Sequence, residues 1–353
     1  MGSAEAALEV GERQTFLRHA ERDQRRFLNP VPTSVGGWRT LRDALPQYLR
    51  NKEEKFPRTP LGPFLTDASI YNTAPATNLR ITWMGHSSAL IEVDGLRLLT
   101  DPVWDQRASP LRWAGPKRFF AAPLQIEKMP RLDAVLISHD HYDHLGESTI
   151  RKLARMDAMR ETEWVTSLGV GEILEQYGVR CRRITELDWT DTHTLQAANG
   201  AKLEVTSVPS RHFSGRSMFN RFETLWSSFI LKGLRHKVFF GADSGWWPGF
   251  AEIGRTYGPF DLTMLEIGAY NDLWKDIHLG PNGAARAFLD MGGSGLMMPI
   301  HWGLFDLALH GWRQPMEVML KVALETGIQL WSPTPGEPSD VMAGTEMRSD
   351  WWR

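Results

Sequence analysis

The chain has 353 residues, of which 42% are hydrophobic and 23% are charged, and this is enough apolar content to build a sizeable folded core. The 40 lysine and arginine residues nearly balance the 42 aspartate and glutamate residues, which disfavours nucleic acid as a partner. The single cysteine, Cys181, excludes an intramolecular disulfide framework. Because no segment has the apolar length of a membrane-spanning helix and the charged start lacks a signal-peptide pattern, we predict a cytoplasmic protein.

The first part of the chain, residues 1–66, is predicted to be an extension that packs on or flanks a larger domain over residues 67–353. Residues 1–26 are highly charged and predict a helix. Residues 27–66 are rich in proline, which predicts extended chain and turns that lean on another body.

One segment of this extension has apolar residues at helical spacing, namely Trp38, Leu41, Leu45 and Leu49. Arginines lie beside them, so the segment could bind a membrane surface or could pack on the domain. Pro46 is expected to interrupt the helix, because proline lacks the amide hydrogen of a helical bond. We therefore favour packing on the domain as the interpretation of this segment.

Beyond the extension, short apolar segments alternate with turns. NLRITWMG, SALIEVDG and LRLLTDP predict strands, and the Asp94-Gly95 pair between the last two predicts a hairpin. A long loop follows, and strands then alternate with helices predicted at about 147–159, 169–177 and 314–326. Antiparallel strands followed by strand–helix units, twice along the chain, indicate an α/β fold of two sheets packed face to face with helices outside.

The most informative stretch is LDAVLISHDHYDHL, residues 132–145, in which an apolar strand-like run ends in a cluster of ionisable side chains. His139 and His141 are two residues apart, so their side chains can converge on one point beyond the strand end. If the chain turns into a helix there, Asp143 and His144 can face a second point. Imidazole nitrogens and carboxylate oxygens together are ligands for zinc or for another first-row metal.

Three later strand ends each carry one more side chain of ligand type, namely His212, Asp243 and His301. In α/β folds the strand ends collect at one edge, where loops can converge on a site. Together with the central stretch, these side chains could serve two metal ions, with Asp243 between them. The two groups would be His139, His141 and His212, and Asp143, His144 and His301.

This pattern resembles the metallo-β-lactamase superfamily, in which a motif like HDHYDH precedes a His, an Asp and a His at strand ends. Further segments resemble one subgroup, the phospholipases D that hydrolyse N-acyl-phosphatidylethanolamines. These segments include FLNPVPT, GHSSALIEVDG, GPKRF, IGAY and IHWG. The resemblance implies a four-layer αββα sandwich and two zinc ions held by the side chains above, with iron or manganese as alternative metals.

For function, the resemblance implies a zinc-dependent phosphodiesterase of the phospholipase D type that uses a metal-bridging hydroxide. The products would be N-acylethanolamine and phosphatidic acid. Asp243 would orient the hydroxide, while His278 or Tyr142 could stabilise charge or protonate the leaving oxygen. Lys117 and Arg118 could hold the phosphodiester, although a solvated pair is an equally good interpretation of them.

Four other side chains are expected to contact the acyl chain or a metal ligand. Trp246 and Trp247 could line an acyl groove, although the hydrophobic core is an equally good place for them. His86 and Asp101 end early strands and would each orient a ligand imidazole through a hydrogen bond, although a satisfied loop histidine is an equally good interpretation of His86.

The substrate is less strongly indicated than the metal centre. RHFSGRSMFN and residues 271–277 depart from the subgroup pattern, so a lactone or a small phosphodiester stays an alternative substrate on the same fold. A binding module without activity is the non-enzymatic alternative, but no ligand position has lost its side chain. Expected partners are thus a phospholipid or a small phosphodiester, with peripheral membrane contact and a homodimer left open.

Overall fold

A computed structural model describes residues 15–50, 52–217, 219–342 and 349–353. The part of the predicted N-terminal helix that covers residues 1–14 lies outside this range. The remainder of that prediction is wrong, because residues 22–27 form an antiparallel pair of short strands, β1 (Arg22–Asp23) and β2 (Arg26–Phe27). The charged residues stay in solvent, while Phe27 is 2% exposed and packs into a cluster with Trp189 and Trp226.

The basic amphipathic segment forms α1 (Trp38–Arg50), and this helix continues through Pro46 instead of being interrupted there. Proline can be accommodated inside a helix when the loss of one backbone hydrogen bond is tolerated. Leu45, Tyr48 and Leu49 are 56%, 64% and 74% exposed, so much of each side chain faces solvent. The helix nevertheless contacts the domain at the 3-10 turn Asp272–Trp274.

Two large sheets form the centre of the protein. In chain order, their strands are β3 (Leu79–Gly85), β4 (Ser88–Val93), β5 (Leu96–Thr100), β6 (Ala134–Ile137), β7 (Glu163–Ser167), β8 (Ile184–Leu187), β9 (Thr192–Gln196), β10 (Lys202–Pro209), β11 (Ser227–Lys232), β12 (Lys237–Phe240), β13 (Leu262–Glu266), β14 (Leu296–Ile300) and β15 (Pro338–Asp340).

The first sheet has the strand order β15-β3-β4-β5-β6-β7-β8. The pairs β3–β4 and β4–β5 are antiparallel, and the pairs from β5 to β8 are parallel. The hairpin between β4 and β5 turns at Asp94 and Gly95, whose φ angles are 47° and 89°. Such left-handed angles at both central residues suit Asp-Gly, so the predicted hairpin is confirmed.

The second sheet has the order β14-β13-β12-β11-β10-β9 and repeats the plan of the first. Strands β9 to β12 are antiparallel neighbours, and β12, β13 and β14 run parallel. The main hydrophobic core takes side chains from both sheets, including Ile91 and Leu136 from the first and Phe229 and Phe239 from the second. The faces of the two sheets are therefore buried against each other.

The helices that accompany the sheets are α2 (Glu147–Leu153), α3 (Val170–Gln176), α4 (Gly249–Tyr257), α5 (Gly280–Asp290) and α6 (Gln314–Thr326). Helix α2 is shorter than predicted, because the chain leaves it after Leu153 and makes a separate 3-10 turn at Asp157–Met159. With helices flanking the paired sheets, the architecture is the predicted four-layer αββα sandwich. No helix in the described ranges has both the length and the apolar character needed to cross a bilayer.

Four residues just after strand ends have left-handed backbone angles. His86, Asp101, Ala242 and His301 are non-glycine residues with left-handed φ angles of 56°, 36°, 47° and 61°. They follow β3, β5, β12 and β14 by one or two residues. Such angles cost free energy and tend to occur at functional sites, so this edge of the sandwich is the place to look for one.

Candidate metal centre

Three imidazoles form the first group of side chains beyond the strand ends. Nε2 of His139 lies 2.8 Å from Nδ1 of His141, and Nε2 of His212 lies 3.3 Å from the same nitrogen. His139 and His141 follow β6, whereas His212 follows β10 in the other sheet. The structure thus brings these three predicted ligands together, with one ring nitrogen of each close enough to share a metal ion.

The second group is centred on the carboxylate of Asp143. Its Oδ2 lies 3.3 Å from Nε2 of His301 and 3.7 Å from Nε2 of His144. His86 also belongs here, because its Nε2 is 3.0 Å from the same oxygen. We predicted that His86 would orient a ligand imidazole, whereas its contact is with the carboxylate.

Asp243 lies between the two groups, as the sequence predicted. Its Oδ1 is 3.2 Å from Nε2 of His144, and its Oδ2 is 3.1 Å from Nε2 of His301. On the other side, Oδ2 is 3.6 Å from Nε2 of His212. One carboxylate therefore reaches histidines of both groups, which is the arrangement of a carboxylate that could touch two metal ions.

Several atoms of the centre fit a metal because they are buried and unpaired. Within the described part of the chain, Oδ1 of Asp243 and Nε2 of His144 and His301 are buried without a hydrogen-bond partner. Leaving such atoms unsatisfied is costly unless a ligand completes them. The donor set of imidazole nitrogen and carboxylate oxygen suits zinc and neighbouring first-row metals, so the residues fit a metal ion.

The electrostatics of the centre also favour a cation. Burial lowers the pKa of His139 and of His212 well below the usual value, so both rings stay neutral and keep a lone pair. Burial alone would lower the pKa of His301 as well, but Asp243 and Asp143 raise it to about 10. The two carboxylates therefore draw positive charge into a buried pocket, and a metal ion supplies such charge.

Asp101 is hydrogen-bonded to the imidazole of His144, which is the kind of contact that the sequence predicted. Its Oδ2 is 2.7 Å from Nδ1 of His144, and Ser138 donates to the same carboxylate through its backbone N–H and its hydroxyl at 2.7 and 2.6 Å. Since a carboxylate only accepts hydrogen bonds, Nδ1 of His144 carries the hydrogen and Nε2 is left to bind a metal.

His278 lies beside the centre and is held by a residue that the sequence analysis missed. Nδ1 of His278 is 2.6 Å from Oε2 of Glu266, and its ring centroid is 5.1 Å from that of His212. Glu266 is fully buried at the end of β13. The rule that found His212, Asp243 and His301, a polar side chain at a strand end, would also have found Glu266.

Tyr142 is part of the ligand-bearing loop but faces a different neighbourhood. The guanidinium of Arg216 stacks 3.8 Å from the centre of its ring. Nη1 of Arg216 donates to the carbonyl oxygens of Asp140 and Leu145 at 2.6 and 3.0 Å. Arg216 thus braces the loop that holds four predicted ligands, and no pattern in the sequence pointed to it.

The two residues of the predicted basic pair, Lys117 and Arg118, lie in different surroundings. Lys117 lines a cavity of about 420 Å³ together with apolar residues that include Phe56 and Trp274. Arg118 is 6% exposed, so it is not a solvated side chain, and its Nε has no partner among the described residues. Burial lowers the pKa of Arg118 to about 10, which still leaves the guanidinium charged near neutral pH. The carboxylate of Asp105 opposes this lowering of the pKa, and an anionic ligand would balance the buried charge further.

Trp246 and Trp247, the two tryptophans predicted to line an acyl groove, lie in different surroundings. Trp247 is 1% exposed and belongs to the main core, where it packs edge-on against Phe16. A side chain so buried has almost no surface for an acyl chain, so the core interpretation accounts for it. Nε1 of Trp246 donates to Asp290 of α5, and Arg286 stacks 3.2 Å from the centre of its ring.

Comparison with known proteins agrees with this geometry. The chain matches the family described as beta-lactamase superfamily domain over residues 96–302. An uncharacterized protein of Mycobacterium tuberculosis is 45% identical, over 82% of this chain and 75% of that protein. The N-acyl-phosphatidylethanolamine-hydrolyzing phospholipase D 1 of Caenorhabditis elegans is 32% identical, over 65% of this chain and 65% of that protein.

Solved structures carry the same fold. The isothiocyanate hydrolase from Delia radicum gut bacteria aligns with a TM-score of 0.58 at 18% identity, over 75% of this chain and 100% of that chain. At this low identity the likeness shows the architecture only. The family match itself covers more than half of the chain. The chain therefore belongs to the beta-lactamase superfamily, and it is a metal-dependent hydrolase with the metallo-β-lactamase fold.

Proposed function

We propose that the protein is a dinuclear zinc phosphodiesterase of the phospholipase D type, which hydrolyses N-acyl-phosphatidylethanolamine-like lipids to N-acylethanolamine and phosphatidic acid. The observation that carries the proposal is Asp243, whose two oxygens reach histidines of two separate ligand groups. The relative from Caenorhabditis elegans, at 32% identity, supports the choice of substrate.

In this proposal each metal ion has its own set of side chains. His139, His141 and His212 would hold the first ion, and Asp143, His144 and His301 would hold the second, with Asp243 available to both. The close grouping of these ring nitrogens and carboxylate oxygens supports this division. Bound metal ions in such a centre activate water and stabilise the charge that develops on a phosphoryl oxygen.

The protein side chains then complete the reaction. Hydrolysis forms a bond from a water oxygen to phosphorus and breaks the bond from phosphorus to the ethanolamine oxygen, which leaves with the electron pair and needs a proton. In this proposal His278 supplies that proton, and its position beside His212 and His301 with 13% of the side chain exposed supports this role. Tyr142, between two ligands in the sequence, is the second candidate for contact with the substrate.

The phosphate and the acyl chains require different surroundings. Arg118 is a buried cation without a hydrogen-bonded partner among the described residues, and we propose that it attracts the anionic diester, with Lys117 beside it. The cavity lined by Lys117, Phe56 and Trp274 offers about 420 Å³ and several apolar walls for an acyl chain. Trp246, partly buried beside Asp290 of α5, stays a proposed contact of the substrate.

The same proposal includes peripheral contact with a membrane, because the substrate is a lipid. Leu45, Tyr48 and Leu49 expose apolar surface on α1, and Trp113 is 77% exposed in the long loop that contains Lys117. Large apolar side chains at the interface of a bilayer gain free energy from partial insertion. In this arrangement residues 1–66 act as an extension of the catalytic domain over residues 67–353.

The test compares N-acyl-phosphatidylethanolamine with bis(p-nitrophenyl) phosphate, a soluble diester, before and after chelation and after zinc is added back. We expect zinc-dependent cleavage of both and a higher kcat/KM for the lipid. Chelator-insensitive cleavage would contradict the metal mechanism. Zinc-dependent cleavage of the soluble diester or of a lactone without cleavage of the lipid would contradict the phospholipase assignment alone.

A further inference from the structure

Glu266 connects three parts of the site through one buried carboxylate. Its Oε2 is 2.6 Å from Nδ1 of His278. Its Oε1 accepts from the backbone N–H of Ser244 at 2.7 Å and from that of Leu279 at 3.2 Å. Ser244 directly follows Asp243, so Glu266 ties the end of β13 both to the loop of the shared carboxylate and to the loop of His278.

A purely structural role does not require an acid at this position. The two backbone N–H groups would be satisfied equally well by the carbonyl oxygen of a glutamine. An ionised carboxylate differs because it can only accept, so Nδ1 of His278 must carry the hydrogen. A carboxamide has no charge to balance that of a protonated ring and could also donate to Nδ1 through its NH2 group, so the ring would stay neutral and Nε2 would be a much weaker acid.

The other ring nitrogen of His278, Nε2, is available to contact a substrate. Nε2 of His278 has no hydrogen-bond partner among the residues that the structure describes. The ring lies between two predicted metal ligands, with centroids 5.1 Å from His212 and 5.5 Å from His301. The side chain is 13% exposed, so a substrate can reach it.

We propose that Glu266 is a positioning residue: it accepts the Nδ1 hydrogen of His278 and so directs Nε2, which carries the second hydrogen of the protonated ring, at the oxygen of the leaving group. This inference rests on the proposed phosphodiesterase function. It assigns to Glu266 a role that acts through His278, and it explains why a carboxylate is buried next to a centre that already contains Asp143 and Asp243.

One other assignment of Glu266 must be separated from this one. Glu266, His278, Asp243 and His301 each offer an atom within 4.8 Å of the others, so Glu266 could itself be a metal ligand. The two roles differ in a measurable way. Removal of a ligand releases metal, whereas removal of a positioning carboxylate leaves both metals bound and changes only how His278 acts.

The experiment uses the zinc-loaded protein as wild type, Glu266→Gln, His278→Ala and the double variant, with zinc content measured for each. N-acyl-phosphatidylethanolamine releases a poor alkoxide that needs a proton, whereas bis(p-nitrophenyl) phosphate releases a phenolate that does not. We expect Glu266→Gln to lower kcat for the lipid by about 10- to 100-fold, with a much smaller effect on the nitrophenyl ester. The double variant should be no slower than His278→Ala alone, because both changes remove the same contribution.

A second readout does not depend on activity. In protein with 15N-labelled histidine, we expect an NMR signal for hydrogen on Nδ1 of His278 in the wild type and its loss in Glu266→Gln. Glu252→Gln is the matched control, because Glu252 also accepts two hydrogen bonds, from Thr15 and Phe16, outside the centre. This control should keep the signal, the zinc content and both activities.

Four results would overturn the proposal: zinc lost from Glu266→Gln, equal losses of kcat on the two substrates, additive effects in the double variant, or no Nδ1 hydrogen in the wild type. If the wild type cleaves neither ester, the proposed function fails. The NMR comparison and the zinc content then decide by themselves whether Glu266 holds the hydrogen on Nδ1 of His278.

Discussion

Oδ2 of Asp101 lies 2.7 Å from Nδ1 of His144, and both side chains are completely buried. The carboxylate thereby fixes which nitrogen of His144 faces the centre. A carboxylate that orients a metal-bound imidazole also raises its basicity, so the metal affinity of the second ligand group should depend on a residue that is not itself a ligand.

Replacing Asp101 by asparagine should weaken zinc binding by about 10- to 100-fold, because the amide no longer dictates the tautomer of His144. Competition with a chromophoric chelator measures this affinity. Asp133→Asn is a suitable control, since Asp133 accepts a hydrogen bond from the backbone of Arg97 and is not part of the centre. Unchanged zinc affinity in Asp101→Asn would mean that the contact is structural only.

Replacing Asp243 by asparagine should abolish turnover while the protein stays folded. Asp243 is 3% exposed and reaches both ligand groups, so the change removes a shared charge with almost no change in volume. Circular dichroism checks folding, and metal analysis should show fewer bound ions. Zinc-dependent activity retained in this variant would disprove a bridging role.

Removing the metal should lower thermal stability. Asp143 and Asp243 are held among histidines with several buried atoms unpaired, and a ligand that binds only the folded state stabilises it by mass action. With zinc at 100 times its dissociation constant, the gain is about 2.7 kcal/mol. Thermal unfolding with chelator, and again after zinc is restored, measures the difference, and identical Tm values would argue against a metal in this centre.

Replacing Arg216 by methionine should both destabilise the protein and reduce activity. The change removes two hydrogen bonds to carbonyl oxygens of the ligand loop and the stacking on Tyr142. We expect a loss of about 1 to 3 kcal/mol in the free energy of unfolding, because buried acceptors lose their donor. Urea unfolding measures it, and Arg216→Lys, which keeps the charge, should lose less. Wild-type stability and activity in Arg216→Met would contradict the bracing role.

His310 should make stability depend on pH below neutrality. Burial lowers the pKa of this ring to about 4 from a usual value of 6.5. As the pH falls from 6.5 towards 4, the unfolded chain therefore binds a proton that the folded protein does not, and the free energy of unfolding decreases by at most about 1.4 kcal/mol per pH unit from this residue.

The check is urea unfolding of metal-free wild type and His310→Gln at pH 7 and pH 5. His310 stacks on Tyr270 at 4.8 Å and donates from Nδ1 to the carbonyl oxygen of Gly311, so the variant should be less stable at pH 7. Its additional loss between pH 7 and pH 5 should be smaller than that of the wild type. Equal losses in the two proteins would show that His310 is protonated as easily in the folded state.

The sequence by itself determined the class of fold and indicated the side chains that we propose as metal ligands. Strand periodicity is local, and so is the Asp94-Gly95 turn, so both could be recognised without tertiary contacts. His212, Asp243 and His301 could be found because strand ends of an α/β fold meet at one edge. The helix expected over residues 15–26 failed for the opposite reason, since burial of Phe27 against Trp226 overrides a charged local sequence.

Only the tertiary structure decided which side chains support the ligands and which are available to a substrate. Glu266 meets His278 across 12 residues and Arg216 meets Asp140 across 76, and such pairings arise from how loops pack, which no local pattern encodes. Burial also separated residues of the same type. Trp247 lies within the core, whereas Trp246, its neighbour in sequence, is only partly buried and packs against that core from outside.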